Sequence, residues 1–226
     1  MTPELQLKTL FSLRPALPGS GHRILATLEA HARPGPSFVL IRGSSSVTWA
    51  VRADVPAETA NQLDRFAREE PPISDFEAPP LHADAYQSLV GGRVSSGPAF
   101  TFPEKIAQTN DVSIVDRIDL LERNFRGWRA EEIQLCAPIC AVMDGGYPVS
   151  VCFCATRNSA AAVEAGVETA AAFRGRGFAA RVTAAWACAV RASGRIPLYS
   201  TNWTNAGSRG VARKLGLIQY ATNWSL

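Results

Sequence analysis

Apolar and polar positions are patterned most clearly between residues 138 and 157, PICAVMDGGYPVSVCFCATR. Two apolar, β-rich runs flank Asp144-Gly145-Gly146, whose glycines supply the positive φ that a tight hairpin turn needs. AAVEAGVETA at 161–170 predicts a further strand. From Phe178 the period changes. Phe178, Val182, Ala185 and Ala189 fall at helical spacing, which continues to Gly194 as a C-terminal cap. IPLYSTN at 196–202 reads as a strand. TNAGSRGVARKLG at 204–216 reads as a second helix, with Arg213 and Lys214 in its last turn and Gly216 after it. LIQYAT at 217–222 reads as a final strand.

The earlier part of the chain is less regular. FVLIRGSSSVTWAVR at 38–52 predicts two strands about a Gly-Ser turn, and AETANQLDRFARE at 57–69 predicts a helix with Leu63 and Phe66 on one face. Pro71, Pro72, Pro79 and Pro80 then break the pattern, which places a boundary or linker between about 71 and 92. PAFTFP at 98–103 resembles a short strand. IVDRIDLLERNF at 114–125 has Ile114, Ile118, Leu121 and Phe125 at helical spacing. The expected organisation is an N-terminal α/β segment, 1–90, and a second domain, 91–226. The order of elements in the latter makes it α/β or α+β.

Charge changes this picture. Residues 1–132 hold 14 basic and 17 acidic side chains, and residues 133–226 hold 9 and 3, so a total of +3 hides parts of −3 and +6. Downstream of Glu168 there is no Asp or Glu, while Arg174, Arg176, Arg181, Arg191, Arg195, Arg209, Arg213 and Lys214 all lie there. Such one-sidedness points to an anionic partner. The basic residues are spread over loop and helices without interleaved aromatics, which argues against a nucleic-acid module. No apolar run reaches the roughly 18 residues of a spanning helix, so no membrane partner is expected. The N-terminus does not read as a secretory signal, and five cysteines are an odd count, so a reducing, cytoplasmic setting is expected. Cys152 and Cys154 share one strand face with Phe153 on the other, and all five cysteines read as small core residues rather than metal ligands.

Strand, then Arg174-Gly175-Arg176-Gly177-Phe178-Ala179, then helix is the segment with chemistry in it. Glycines let a backbone turn tightly and approach a ligand, and the free N–H groups opening a helix, with its positive dipole end, form an anion site. Arg174 and Arg176 add mobile charge. Gly175-x-Gly177-x-x-Ala180 also matches a dinucleotide fingerprint, but the carboxylate that fold needs about 20 residues on is missing. A G-x-x-x-x-G-K-[ST] phosphate loop does not occur.

The same residues resemble the acetyl-CoA site of the Gcn5-related N-acetyltransferase (GNAT) superfamily, in the branch called GNAT acetyltransferase. Its R/Q-x-x-G-x-G/A block is met by Arg174, Arg176, Gly177 and Ala179, and its later N-x-x-A/S block running into K-L-G-F by Asn205, Ser208 and Lys214-Leu215-Gly216-Leu217. One helix and one strand separate the two blocks, as in the family. The resemblance covers roughly 90–226. It implies a GNAT-like mixed, mostly antiparallel sheet flanked by helices, and acetyl-CoA as co-substrate with no metal. Backbone N–H groups of Gly175, Arg176, Gly177, Phe178 and Ala179 would hold the pyrophosphate. Val167 and Thr169 would hydrogen-bond the pantetheine arm where their strand splays from 196–202, and Asn205 and Ser208 would contact the pantetheine or the phosphates.

The resemblance also implies an N-acetyltransferase, in which an acceptor amine attacks the thioester directly. A carboxylate must take the amine's proton, and Glu164, then Glu168, are the candidates on the site strand. They lie four apart on one face with Gly166 between them. A backbone N–H near Thr169 could meet the oxyanion. The family's usual Tyr that protonates the thiolate is replaced by Ala212; Tyr199, Ser200 or Thr201 could stand in, or the thiolate leaves unprotonated. That departure keeps open a non-catalytic CoA-binding module. Trp203 and Trp224 are strand-end aromatics that could line an acceptor pocket, and residues 1–130 are expected to shape the acceptor side.

Overall fold

The computed structural model describes residues 1–15, 18, 20–107, 111–156 and 161–226. Its elements in chain order are α1 (Pro3–Leu10), β1 (Phe11–Arg14), β2 (His22–Thr27), β3 (Phe38–Gly43), β4 (Val47–Arg52), α2 (Ala57–Glu69), α3 (Ala83–Val90), β5 (Ser95–Thr101), β6 (Val112–Ile114), α4 (Ile118–Leu121), α5 (Glu132–Leu135), β7 (Cys140–Asp144), β8 (Tyr147–Cys154), β9 (Ala162–Thr169), a 3₁₀ turn (Ala171–Phe173), α6 (Phe178–Ala192), β10 (Ile196–Ser200), α7 (Ala206–Lys214) and β11 (Ile218–Ser225). The fold is mixed α/β, with mostly antiparallel pairing. The chain divides into two compact units: residues 1–100 with 200–205 and 219–226, and residues 101–199 with 206–218.

In the first unit the strands run in the order β1-β2-β4-β3-β11-β5. β3 is buried along its whole length because both faces are covered. Phe38 and Leu40 pack with Leu63, Tyr86 and Trp224 on the face of α2 and α3. Val39 and Ile41 pack with Leu7, Phe11 and Ile24 on the face of α1. Trp224 is thus a core residue, 5% exposed, and not the pocket aromatic expected from its place at a strand end. α3 lies within the stretch expected to be a linker. Tyr86 anchors it, donating its phenolic hydrogen to Glu70, which also accepts the N–H groups of Leu81 and His82. Arg42 beside Glu70 donates to the carbonyls of Ala78 and Pro79, so the proline-rich turn is tied to buried charge.

In the second unit the order is β10-β9-β8-β7-β6. The predicted hairpin is β7–β8, and Gly145 and Gly146 take φ of 55° and 84° at its turn. Arg157, at the end of that prediction, lies outside the described residues. α6 covers β7, β8 and β9, with Val182, Trp186 and Val190 fully buried beneath it. The helix expected over 114–125 is corrected: only Ile118–Leu121 is helical, and Ile114 lies on β6, paired with Cys140 and 61% exposed. The β-branched residues Val112, Ile114 and Val115 favour the strand. All five cysteines are free thiols. Burial pushes Cys136 and Cys140 up to about 12, which keeps them protonated and inert.

Candidate functional site

β9 and β10 form the parallel pair from which the site is built. Their register runs Ile196↔Ala162, Pro197↔Val163 and Leu198↔Glu164, and no further. β9 continues to Thr169, paired only on its other side with β8, from Ala165↔Cys154 to Thr169↔Ser150. From Ala165 onward the side of β9 facing away from β8 therefore has no strand in register among the described residues. Its main-chain groups are the kind that an extended ligand arm can use as a neighbouring strand would. Val167 and Thr169 both lie on this stretch.

β9 ends at the glycine-arginine turn. Gly175 and Gly177 take φ of 77° and 79°, left-handed values open to glycine, so the chain reverses within a few residues. Gly177 is the N-cap of α6 and supplies no side chain, so the first N–H groups of that helix have no side-chain cap. Arg174 donates to the Thr169 carbonyl at 3.2 Å. Arg176 donates to Ala172 and stands 5.0 Å over the Phe173 ring. Arg181 pairs with Asp111. An uncapped helix N-terminus flanked by two guanidinium groups suits a multiply charged anion.

The carboxylates occupy the same face of β9 in different settings. Glu164 is 5% exposed, at the last residue in register with β10, and its N–H donates to Thr156 Oγ1 at 3.2 Å. Glu168 is exposed. Desolvation by surrounding atoms and then the Glu132 carboxylate push it above the usual carboxylate range. A carboxyl whose folded pKa is raised stabilises the fold while protonated. That contribution is present below the unfolded value and lost as pH rises through the folded one. Glu168→Gln, which stays neutral, is expected to raise the melting temperature at about pH 7 and leave it unchanged at about pH 3. Equal shifts at both pH values would contradict this cause.

Gly166, between the two glutamates, is covered by an aromatic ring that the sequence pattern did not single out. A Cβ there would stand 2.5 Å from Phe153, its cross-strand partner. Phe153 in turn meets Trp128 edge to face at 4.8 Å. The strict alternation of β8 places Phe153 opposite Cys152 and Cys154. The only sequence signal for its role was a lone glycine inside a strand, the usual mark of close approach.

Ala212, the position at which the sequence resemblance implies a Tyr, is buried on α7. Tyr199 of β10 reaches the same helix: its hydroxyl lies 2.5 Å from Ser208 Oγ and donates to the Ser208 carbonyl at 3.2 Å. Ser208 and Ala212 are four apart and share a helix face. Burial pushes the Tyr199 phenol up to about 12, so it stays a hydrogen-bond donor. Asn205 falls in the first unit, its N–H donating to the Asn202 carbonyl at 3.0 Å, whereas Val167, Thr169, Arg174–Ala179 and Ser208 lie in the second. Among the described residues no group of three His, Cys, Asp or Glu is placed to hold a metal, and no helix is long and apolar enough to cross a membrane.

Residues 139–224 match the family model of GNAT acetyltransferases. This part of the chain is GNAT acetyltransferase-like. The match runs through the β7–β8 hairpin, the splay of β9 from β10, the glycine-arginine turn and α7, and it agrees with the resemblance read from the two sequence blocks. Comparison with curated proteins gave no match. Among solved structures, a GNAT-family protein from Novosphingobium aromaticivorans is 19% identical over 59% of this chain and 64% of its own, with a TM-score of 0.49. A GNAT-family acetyltransferase from Colwellia psychrerythraea is 14% identical over 63% and 61%, at 0.47. A GCN5-related N-acetyltransferase-like protein from Streptococcus suis is 17% identical over 84% of each chain, at 0.48. The chain thus spans somewhat under two thirds of the length of the first two.

Proposed function

We propose that the protein is an acetyl-CoA-dependent N-acyltransferase that moves an acetyl group to an amine. The observation that carries this is the open side of β9 leading straight into the uncapped, arginine-flanked N-terminus of α6, inside the GNAT acetyltransferase match. The N–H groups of Gly175 to Ala179 would take the diphosphate of acetyl-CoA. Val167 and Thr169 would hold the pantetheine arm, and Ser208 would contact the arm or the phosphates. With the arm along β9, the thioester comes to the carboxylate face of that strand.

Glu164 acts first as general base and Glu168 is the second candidate. The carboxylate takes a proton from the acceptor ammonium, directly or through water. The free amine then attacks the thioester carbon, a β9 backbone N–H near Thr169 meets the oxyanion, the C–S bond breaks to release CoA thiolate, and the second proton of the attacking nitrogen passes to that thiolate or to water, leaving a neutral amide. With the Tyr199 hydrogen donated to the Ser208 carbonyl, the Ser208 hydroxyl is the member of this pair that would donate to the thiolate in place of the absent Tyr at 212. A reducing, cytoplasmic setting belongs to this reading, in keeping with four buried free thiols and a half-buried one at Cys188.

Ala212 favours one other reading, a CoA-binding module without transferase activity. An amine panel with acetyl-CoA and a thiol-release readout separates the two. Turnover with at least one class of amine is expected. CoA binding with no thiol release across the panel would replace the enzyme reading with the binding module.

A further inference from the structure

We propose that Lys214 is a further cofactor-binding residue, specific for the diphosphate of CoA; this rests on the acetyl-CoA reading above. Lys214 closes α7 and its side chain crosses to the start of α6. Its Nζ stands 2.6 Å from the position a Cβ on Gly177 would occupy, so the ammonium lies against the N-cap of α6. For a cation this is an unfavourable place. A helix N-terminus carries roughly half a positive charge and repels another cation within its first turn. Arg174 and Arg176 flank the same turn, and no acidic residue follows Glu168 anywhere in the chain. Among the described residues the Lys214 side chain has neither an ion pair nor a hydrogen bond.

One arrangement turns this repulsion into attraction: an anion of more than one charge seated among the N–H groups, the two guanidinium groups and the ammonium. The diphosphate fits this demand because the ammonium stands at the turn itself, over Gly177, whose neighbouring N–H groups are the ones assigned to it. A contact to the 3′-phosphate, on the ribose beyond the diphosphate, has no such placement in its favour. α7 therefore supplies the second side of the phosphate site, and its last residue closes over the turn that β9 and α6 provide.

The test compares wild type, Lys214→Ala and Lys214→Arg by calorimetry against acetyl-CoA, acetyl-dephospho-CoA and acetylpantetheine. Loss of a charge-assisted contact is expected to weaken both diphosphate ligands by about tenfold in Lys214→Ala, with most of the affinity kept in Lys214→Arg. Acetylpantetheine, which lacks phosphate, is expected to bind wild type and variants alike. Unchanged acetyl-CoA affinity in Lys214→Ala, with an unchanged melting temperature, would overturn the proposal. So would a loss confined to acetyl-CoA and absent with the dephospho compound, since that assigns Lys214 to the 3′-phosphate. If wild type binds none of the three, the acetyl-CoA reading itself fails, and this proposal with it.

Discussion

Glu164→Gln lowers turnover at neutral pH by roughly two to four orders of magnitude, the usual contribution of a positioned general base. Affinity for acetyl-CoA is expected to stay within about twofold, a change worth only a few tenths of a kcal/mol. The carboxylate is buried, at the last residue where β9 and β10 are still in register, and so at the fork that would receive the thioester. Glutamine keeps the size and hydrogen-bonding capacity of the side chain but takes no proton. The deficit should shrink as pH rises toward the acceptor's own pKa, because the free amine then forms without help. Steady-state kinetics over a pH series measures both effects. An unchanged rate in Glu164→Gln, with the loss appearing in Glu168→Gln, would move the base four residues along the strand.

The largest stability effect is expected in the first unit, at Gly97 of β5. A Cβ there would stand 1.8 Å from the Thr201 carbonyl oxygen and 2.7 Å from the Asn202 Cα. Both are backbone atoms, and they cannot yield locally. Thr201 N–H donates to the Pro98 carbonyl at 3.2 Å and Trp203 N–H to the Ser96 carbonyl at 3.0 Å, so the approach is clamped on either side of the glycine. Gly97→Ala must open this contact and weaken both hydrogen bonds. The expected loss is about 3 kcal/mol or more, read as a lower denaturant midpoint. Gly210→Ala is the control. It sits within α7 with nothing within 4 Å of an added Cβ, and is expected to stabilise by about 0.5–1 kcal/mol. An unchanged midpoint in Gly97→Ala would contradict the close approach.

What was legible in the sequence was local. The β7–β8 hairpin is written in Gly145-Gly146 and its flanking apolar runs, α2 and α6 in their helical spacing, and the turn before α6 in two glycines that need positive φ. What was not legible depends on partners distant in sequence. β11 pairs with β3, Trp224 opposite Leu40, and nothing local to either strand announces a contact across most of the chain. Trp224 consequently looked like a strand-end aromatic. α1 was hidden by a proline that in fact stands at its first turn, where proline is well tolerated, while Thr2 Oγ1 accepts the Leu5 N–H. Residues 114–125 misled for a different reason: four apolar residues at helical spacing are shared between a strand, a one-turn helix and a loop. In the candidate site, the loop glycines and arginines carried their own signal. The Phe153–Trp128 cover over Gly166 did not, because it arises from cross-strand register.

The central claim is that the open side of β9 and the turn before α6 bind acetyl-CoA. Titration calorimetry of the full chain with acetyl-CoA tests it most directly. Saturable one-to-one binding, with a dissociation constant well below about 1 mM, is the predicted result, equivalent to more than about 4 kcal/mol of binding free energy. It should weaken as salt rises, as binding of a polyanion among solvent-exposed cations does. No heat of binding at sub-millimolar acetyl-CoA would contradict the account.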